Sequence, residues 1–562
     1  MPRTATSQPR AMLAAGSHSE RRADLCASSF GDLNLIREMP PFDAHLKWIQ
    51  ELGSKVITYR GMFYAERIYL ADARAMNHVL GPANSYSYPK PDNTRRFLSE
   101  LLGHGVLVSE GDEHKRQRKI LQPAFNVSAI RGLTPTFFKH ANKLVDRLGE
   151  FVDKTEGPAE EPFIPGQSAM SAKVSQKGKP VFDISHWTSK TTLDIIGETG
   201  FDHDFKTINS GEGEGDDELA QAFNTLMRQT GNLNIWQIIQ FGLQSIPGFW
   251  WLRMLPTRRR RLILDTYKIL EKKSNELVDA KRAEIAADMK GAMQQDSKAY
   301  LEDMGKGKDI LYLMMRANMA TDISPSERLA DDQLVGQITT FIFAGHETTS
   351  TLTQWALHVL SLSENKHIQD KLRAELEENF AGRDEIPYDS LMAIPYLDNF
   401  TKELMRRHSP VGSTTREAQK DDVIPLSKPY PTRDGKGTFN SVVVKKGSEV
   451  MIPIQVLNRS EDVWGPTAHD FNPDRWDDIP ATAKESGLPS HMLTFIAGPR
   501  SCIGNRFSIA EFKVLISALV RAFRIEAVEG WEIEPKQGIV VRTRIVGQED
   551  LGLQMPLRFS RI

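Results

Sequence analysis

Residues Phe495–Gly504 read FIAGPRSCIG and lead into a helix-forming run. Cys502 stands just before that predicted helix, where backbone amide dipoles stabilise a thiolate. Gly498 and Gly504 have no side chain, so the backbone beside the cysteine can approach something large and flat. Arg500 can grip a carboxylate through two parallel hydrogen bonds. A lone cysteine is usually a buried apolar thiol. A thiolate, a backbone that can approach a flat group and an arginine that can bind a carboxylate are, however, together typical of a site for haem with a cysteine axial ligand.

The composition is that of a soluble globular protein. The chain of 562 residues exceeds one ordinary domain of roughly 150 residues, so a large single core and several smaller domains are both allowed. Hydrophobic residues at 40% and charged residues at 26% exclude wholesale disorder. The net charge of −2 gives no indication of a nucleic-acid partner. The two cysteines, Cys26 and Cys502, exclude a disulfide scaffold and any metal site built from several thiolates.

Helical spacing dominates the middle of the chain. Apolar residues recur at intervals of three and four between residues 112 and 380, as in 134–152 and 262–286. Two segments interrupt this pattern, 153–180 and 209–217. Both are rich in Gly, Glu and other residues with little to bury, and we predict that they are surface loops.

Strand signals are confined to the two ends of the chain. Residues 55–70 are rich in β-branched and aromatic residues around a glycine, which predicts a hairpin. Residues 441–454 predict a second hairpin that turns at Lys446-Gly447. Because helical and strand runs do not alternate, a doubly wound sheet is not expected. The sequence predicts a mainly α fold with small β regions, of the α+β class.

The N-terminus and one internal stretch bear on membrane attachment. Residues 1–30 are rich in Ser, Ala and Arg, which fits a disordered tail or a targeting or anchor remnant. The sequence contains no run of about 18 apolar residues, so it predicts no transmembrane helix. Residues 235–255 are rich in Trp and Phe and are followed by four arginines at 258–261. Such residues suit a bilayer surface, and they equally suit a buried helix pair with one charged face.

The segment Phe495–Gly504 resembles a known signature. It matches the haem-binding pattern FxxGxRxCxG of the cytochrome P-450 haem-thiolate monooxygenases at every fixed position. The resemblance extends over nearly the whole chain, and it implies one large domain, residues 31–562, with a long central oxygen-binding helix. It also implies haem b (iron protoporphyrin IX) with the Cys502 thiolate as axial ligand, held by Phe495, Gly498, Arg500 and Gly504.

A second motif, Ala344–Thr349 (AGHETT), lies in the helical run from about Asp332 to Leu362. It resembles the family's oxygen-activation motif. Ala344 is small enough for dioxygen to lie against the helix, and Thr348 can bond back to the Ala344 carbonyl and open the helix locally. The resemblance makes Thr348 and Glu347 the residues that relay protons. An ordinary helix with a polar threonine run is the alternative.

A third motif joins two arginines to one glutamate. Glu403 and Arg406 resemble the family's ExxR helix, and Arg475 lies 69 residues further on, in a segment that resembles the meander before the haem loop. The resemblance implies a buried structural triad, in which losing one member would leave an unpaired charge. A solvated surface pair at this helical spacing is the alternative.

Three further residues match positions that contact the haem propionates in the family. His114 and Arg118 lie four residues apart, on one helical face. Relatives usually have Trp where this chain has His114, and an imidazole can also donate a hydrogen bond. Arg416 matches a third propionate contact. The alternative is that all three residues are ordinary surface charges with no role in cofactor binding.

The resemblance implies a monooxygenase. Dioxygen is reduced by two electrons from NADPH through a separate NADPH–cytochrome P-450 reductase, and one oxygen atom enters a lipophilic substrate by hydroxylation or epoxidation. The residue usage resembles fungal microsomal-type enzymes, which indicates secondary metabolism such as terpenoid tailoring and the cytosolic face of the endoplasmic reticulum membrane. A reductase-independent isomerase or dehydratase and a non-enzymatic haem sensor are the alternatives. The residues expected to line the substrate pocket are Tyr86, Tyr88, Phe97, Thr340, Phe341 and Phe343.

Overall fold

The computed structural model describes residues 43–61, 66–162, 164–209, 217–231, 257–295, 307–320, 324–432 and 434–562. The N-terminal tail, most of the predicted loop 209–217 and the aromatic stretch 235–255 therefore lie outside the described residues. The chain divides into two compact units. Unit 1 comprises Met1–Asp92, Val411–Phe471 and Asp478–Cys502, and unit 2 comprises Asn93–Pro410, Asn472–Asp477 and Ile503–Ile562.

The described residues are mainly helical, with strands within 56–70 and 414–561 and one short strand at 181–183 that the sequence did not predict, so the predicted fold class is confirmed. The helices are α1 (Asp43–Leu52), α2 (Ala73–Leu80), α3 (Asp92–Leu102), α4 (Gly111–Leu121), α5 (Val127–Lys154), α6 (Ala169–Lys173), α7 (Ile184–Phe201), α8 (Glu218–Gly231), α9 (Arg258–Gln295), α10 (Ile310–Asn318), α11 (Asp331–Ser361), α12 (Lys366–Phe380), α13 (Tyr388–Met392), α14 (Pro395–Arg407), α15 (Ile454–Asn458), α16 (Glu461–Trp464), α17 (Ala481–Glu485) and α18 (Asn505–Ala522). The strands are β1 (Val56–Arg60), β2 (Glu66–Leu70), β3 (Val181–Asp183), β4 (Thr414–Glu417), β5 (Asp422–Pro431), β6 (Thr438–Val444), β7 (Glu449–Ile452), β8 (Phe523–Ala527), β9 (Ile533–Lys536), β10 (Arg542–Ile545) and β11 (Pro556–Arg561).

Unit 2 is built around the long helix α11. This helix packs against α7 and α18, and most of its side chains are buried. Helix α7 is buried on most of its faces, and its threonines place their hydroxyls on carbonyls one turn back, as Thr188 does on Ile184 at 2.9 Å. Buried hydroxyls satisfied in this way let a helix lie in a core. Two small antiparallel sheets, β3-β11-β8 and β9-β10, complete the unit.

Unit 1 is built around a four-stranded sheet of order β1-β2-β7-β4, in which only the β2–β7 pair is parallel. The hairpin predicted at 55–70 is confirmed, because Val56 pairs with Leu70 and Arg60 with Glu66. A second pair, β5-β6, is joined to helix α2 through Asp72. This buried carboxylate accepts hydrogen bonds from the Ala75 amide, from Ser427 and from the hydroxyl of Tyr430 at 2.9 Å.

Two sequence predictions are corrected. The hairpin expected at 441–454 does not form, because β6 pairs with β5 whereas β7 pairs with β2 and β4. The chain does bend at Gly447, which has a φ of +83°, but it passes from one sheet to another there. The segment 153–180 is not only a surface loop, since it contains α6 and buries Ile164 and Ala172. Alternation of polar and apolar residues predicts a strand but not which strand it pairs with. Composition predicts a loop but not how much of it is buried.

Candidate active site

Cys502 lies at the end of a tight loop in unit 1. Its amide donates to the carbonyl of Phe495 at 2.9 Å, and the Ser501 amide donates to Gly498 at 3.0 Å. Ile496, inside the loop, has a φ of +59°, which is costly for a β-branched residue and is tolerated where the surroundings fix the backbone. The loop therefore holds its shape at the cost of local strain, and it leaves Cys502 exposed to solvent.

Gly498 has no substitute in this loop. Its φ is +67°, and a Cβ there would overlap the carbonyl oxygen of Leu80, at the end of α2. The backbone of the cysteine loop therefore touches α2 directly. Gly504, in unit 2, is less constrained, since a Cβ would lie 3.7 Å from the ring of Phe125. Only the first of these two signature glycines is required by packing within its own unit.

Two buried arginines belong to the same unit as the cysteine. Arg500 is 8% exposed, and its guanidinium lies 5.0 Å from the ring centre of Tyr86, a cation–π contact that fixes its plane. Arg416 on β4 is 2% exposed and donates to the carbonyl of Thr415 at 2.9 Å. A guanidinium binds a carboxylate through charge-assisted hydrogen bonds, so both side chains have the chemistry to hold carboxylate groups.

Helix α11 in unit 2 has a polar notch in its buried surface. Ala344, Gly345, Glu347 and Thr348 are half-buried, whereas the stretches before and after them are buried. The Thr348 hydroxyl donates to the Ala344 carbonyl at 2.7 Å. Thr353 makes the same type of bond deeper in the helix, so the bond alone does not mark a site. What distinguishes Thr348 is that its hydroxyl lies where the helix surface is open.

Glu347 forms a double ion pair that the sequence does not reveal. Its Oε2 accepts from Nε of Arg542 on β10 at 3.0 Å and lies 2.7 Å from a terminal guanidinium nitrogen. Arg542 comes from the C-terminal part of the chain, and no local motif signals its partner 195 residues away. The pair holds the Glu347 carboxylate against β10, beside the notch.

The neighbouring His346 packs against α7. It is 2% exposed, its Nε2 lies 2.6 Å from the Ser189 hydroxyl on α7, and burial lowers its pKa. The ring is therefore neutral near pH 7 and serves the packing of α11 on α7. Gly345 supports the same contact, because a Cβ there would lie 2.9 Å from Ile196.

The residues predicted as a charge triad do meet in unit 2. Glu403 and Arg406 on α14 are fully buried and form a fork, with both Arg406 Nε and a terminal nitrogen at 2.8 Å from the carboxylate. Arg475 Nε lies 3.4 Å from the same group. Sequence reasoning missed two further donors, the Asn472 amide at 3.0 Å and the Trp476 indole at 3.1 Å. The surface-pair alternative is excluded by this burial.

The remaining predicted residues are a histidine and an arginine on α4 and several aromatic side chains expected in the substrate pocket. His114 and Arg118 lie one turn apart on α4, with His114 buried and Arg118 half-buried. Among the expected pocket residues, Phe341 packs edge-on against Phe125 at 5.4 Å. Burial raises the pKa of Tyr88, and so does the hydrogen bond that its hydroxyl donates to Asp422 at 2.7 Å. Both are thus engaged in packing within their units.

Comparison with known proteins identifies the chain. The family model described as Cytochrome P450 matches residues 29–545. "Cytochrome P450 monooxygenase 205" of Postia placenta is 36% identical over 531 residues, covering 94% of this chain and 90% of that protein. "Ganoderic acid synthetase CYP5150L8" of Ganoderma lucidum is 30% identical, covering 86% and 84%. A crystal structure of a cytochrome P450 (CYP102L1) aligns with a TM-score of 0.69 at 17% identity, over 99% of this chain and 100% of that one.

The fold and the cysteine loop define a haem-thiolate protein. The chain belongs to the cytochrome P450 family and is a monooxygenase. The residues present fit the haem that the family binds. Cys502 offers an exposed thiol on a strained, fixed loop, and Arg416 and Arg500 are buried guanidiniums of the same unit, a chemistry that suits the carboxylates of such a cofactor. Haem with the Cys502 thiolate as axial ligand is therefore the cofactor.

None of the described helices is both long and apolar enough to cross a bilayer.

Proposed function

We propose that this monooxygenase inserts one oxygen atom of dioxygen into a lipophilic organic substrate, by hydroxylation or epoxidation, in fungal secondary metabolism such as terpenoid tailoring. The observation that carries the proposal is the notch of α11, where a small residue, a hydroxyl and a carboxylate are open in an otherwise buried helix. The relative named for ganoderic acid synthesis supports the substrate class. Electrons come from NADPH through a separate reductase, on the cytosolic face of the endoplasmic reticulum membrane.

When bound, haem supplies the reductive activation of dioxygen. This chain supplies the protons that the reaction consumes. Thr348 holds a hydroxyl proton at Oγ1, and release of its bond to the Ala344 carbonyl frees that hydroxyl to donate into the notch. Glu347 relays the replacement: once its carboxylate turns away from Arg542, it takes a proton from water and passes it to Thr348 Oγ1. Because the ion pair is more than three-quarters buried on both sides, it holds Glu347 firmly until that movement occurs.

The remaining site residues act on the cofactor. We infer that His114, Arg118, Arg416 and Arg500 bind the propionates, whereas Phe495, Gly498 and Gly504 shape the loop around the Cys502 thiolate. The cation–π contact of Arg500 with Tyr86 orients the guanidinium before the cofactor binds, which lowers the cost of ordering it.

The proposed reaction is tested by product formation. The purified holoenzyme is combined with a fungal cytochrome P450 reductase, NADPH and a panel of terpenoids and small polar amino acids, under labelled dioxygen. A labelled hydroxyl or epoxide oxygen in a terpenoid product is expected. Conversion without NADPH or reductase would favour the isomerase or dehydratase alternative, and ligand binding without any conversion would favour the sensor.

Replacing Thr348 with alanine should uncouple the enzyme. The variant should keep haem, because Thr348 is not among the residues proposed to hold the cofactor and its hydroxyl bonds to a carbonyl of its own helix, but it loses the hydroxyl that delivers protons. We expect product per NADPH to fall by about 100-fold, in line with general acid catalysis, while NADPH is still consumed and hydrogen peroxide accumulates. Peroxide and product are measured together against NADPH.

Thr353→Ala is the matched control for this prediction. Thr353 makes the same back-bond, to the Thr349 carbonyl at 2.9 Å, but it is buried away from the notch. Coupling in Thr353→Ala should equal that of the wild type. Equal coupling in Thr348→Ala as well would contradict the proton-delivery role of Thr348.

A further inference from the structure

Two hydroxyl groups of α7 hold the residue that precedes Glu347 and Thr348. The Ser189 hydroxyl lies 2.6 Å from Nε2 of His346, and the Thr192 hydroxyl lies 3.1 Å from the His346 carbonyl oxygen. Ser189 is half-buried, whereas Thr192 and His346 are buried. Helix α7 therefore contacts both the side chain and the backbone of the residue beside the notch.

The contact with the His346 ring is specific. Its Nδ1 atom has no hydrogen-bond partner in the described part of the chain, so Ser189 supplies the ring's single hydrogen bond among those residues. The ring of Phe223 on α8 packs edge-on against it, at 5.8 Å between ring centres. One polar and one aromatic contact thus hold the imidazole in one orientation.

The contact with the His346 carbonyl ties α7 to the backbone of α11. In an α-helix this oxygen accepts from the amide four residues further on, and a side chain that reaches it competes with that bond. The Thr192 hydroxyl has one proton and shares it with the carbonyls of Thr188 and Ser189 in its own helix, at 3.0 and 3.3 Å. Thr192 therefore bridges carbonyl groups of the two helices.

Gly345 lets the two helices approach closely enough for these bonds. A Cβ at this position would lie 2.9 Å from the side chain of Ile196. Ser189, Thr192 and Ile196 follow one another at intervals of three and four residues, so they lie on one face of α7. Because hydrogen bonds depend on direction and apolar contacts do not, this face fixes the rotation of α11 as well as its distance.

The rotation of α11 decides where the notch residues point. Successive helical residues are about 100° apart, so a fixed His346 places Glu347 about 100° and Thr348 about 200° further round the axis. Side-chain atoms lie about 5–6 Å from that axis, and a rotation of about 10° therefore moves them by about 1 Å. A misplacement of that size is enough to cost about 100-fold in a reaction that depends on positioning.

We propose that Ser189 and Thr192 are positioning residues for the proton relay, because they hold α11 at the rotation that directs Thr348 and Glu347 into the notch. The proposal rests on the proposed monooxygenase function. Both residues act through His346 and transfer no proton themselves. Polar contacts buried between two helices, once satisfied, specify a single packing of those helices, and here that packing sets the geometry of the relay.

The first test removes the two hydroxyls and retains the shape of the side chains. With a substrate that the wild type oxygenates, Ser189→Ala combined with Thr192→Val should lower product per NADPH by about 10- to 100-fold and raise hydrogen peroxide correspondingly. Thr192→Ser, which keeps both hydroxyls, should retain the coupling of the wild type. Wild-type coupling in the double variant, or an equal loss in Thr192→Ser, would overturn the proposal.

Thr191→Val is the matched control on the same helix. Thr191 is as fully buried as Thr192, but its hydroxyl donates to the Trp187 carbonyl of its own helix at 2.8 Å. The control should leave coupling unchanged. A loss equal to that of the double variant would show that these hydroxyls serve the stability of α7 rather than the position of α11, which would also overturn the proposal.

The second test observes the notch independently of turnover. The stretching frequency of carbon monoxide bound to the reduced haem responds to the polar groups beside it, so it reports a rotation of α11. The double variant should shift this infrared band, whereas Thr192→Ser and Thr191→Val should leave it at the wild-type position. A band that the double variant leaves unshifted would contradict the positioning role. If the double variant binds no haem, Thr192→Val alone is compared with Thr192→Ser.

The two levels of the proposal fail differently. If Thr348→Ala uncouples the enzyme and the double variant does not, the positioning role is wrong and the monooxygenase function stands. If the wild type oxygenates no substrate, the proposed function fails, while the carbon monoxide band still decides whether the α7 hydroxyls position α11. A carbon monoxide difference spectrum of each variant confirms that its haem is bound before coupling is compared.

Discussion

Replacing Cys502 with alanine is expected to abolish the haem-thiolate spectrum and all monooxygenase activity. The thiol is exposed at the end of a loop whose backbone is fixed by the Cys502–Phe495 and Ser501–Gly498 hydrogen bonds, so no neighbouring side chain can take its place without rebuilding the loop. The measurement is the carbon monoxide difference spectrum of the reduced protein. The wild type should show a strongly red-shifted Soret band, and the variant should show none.

Two controls separate ligation from folding in this experiment. Cys502→Ser keeps the size of the side chain and its place in the loop, so loss of the band there reports loss of the thiolate rather than a packing defect. Cys26→Ala removes the other cysteine of the chain and should leave the spectrum unchanged. A red-shifted band that persists in Cys502→Ala would mean that the thiolate assignment is wrong.

Local motifs were the most predictable part of this protein. The loop Phe495–Gly504 is a contiguous signature, and its geometry follows from its own residues, with Gly498 at a φ of +67° and the Cys502 amide on Phe495. The predicted helix from Asp332 to Leu362 is confirmed to within one residue, as Asp331–Ser361. Its apolar residues recur at helical spacing over the whole length of the run, which predicts one long helix rather than a strand.

Pairing over long distances was the least predictable part. The segment 441–454 has the alternation of a hairpin, yet its strands join different sheets, because alternation specifies a strand and not its neighbour. The Glu347–Arg542 ion pair spans 195 residues, and Ser189 meets His346 across two helices. Such contacts are set by the packing of elements, and no local spacing carries that information.

The Glu403 cluster combines both situations. The spacing of Glu403 and Arg406 places them on one face of a helix, and a one-turn pair of this kind is usually solvated. Only the packing of α14 against the segment that contains Arg475 and Trp476 makes the pair a buried one. The contribution of the motif to stability therefore depends on its burial, since an exposed pair at the same spacing contributes about 0–1 kcal/mol.

The consequence is a large and specific loss of stability on changing Glu403 to glutamine. The carboxylate accepts from Arg406 twice, from the Asn472 amide, from Arg475 and from the Trp476 indole. Glutamine keeps the shape but is neutral and presents an N–H to this ring of donors, so two buried guanidiniums lose their counter-charge. We expect the free energy of unfolding of the holoenzyme to fall by about 3–5 kcal/mol, with a lower haem content after purification.

Asp474→Asn is the matched control for that loss. Asp474 precedes Arg475 and pairs with Lys371 at 2.7 Å, but both side chains are about half exposed, at 55% and 52%. Because water solvates both charges, this variant should change the free energy of unfolding by about 0–1 kcal/mol. Urea unfolding followed by tryptophan fluorescence and Soret absorbance gives both values. Equal, small changes in the two variants would show that the buried cluster around Glu403 does not hold unit 2 together.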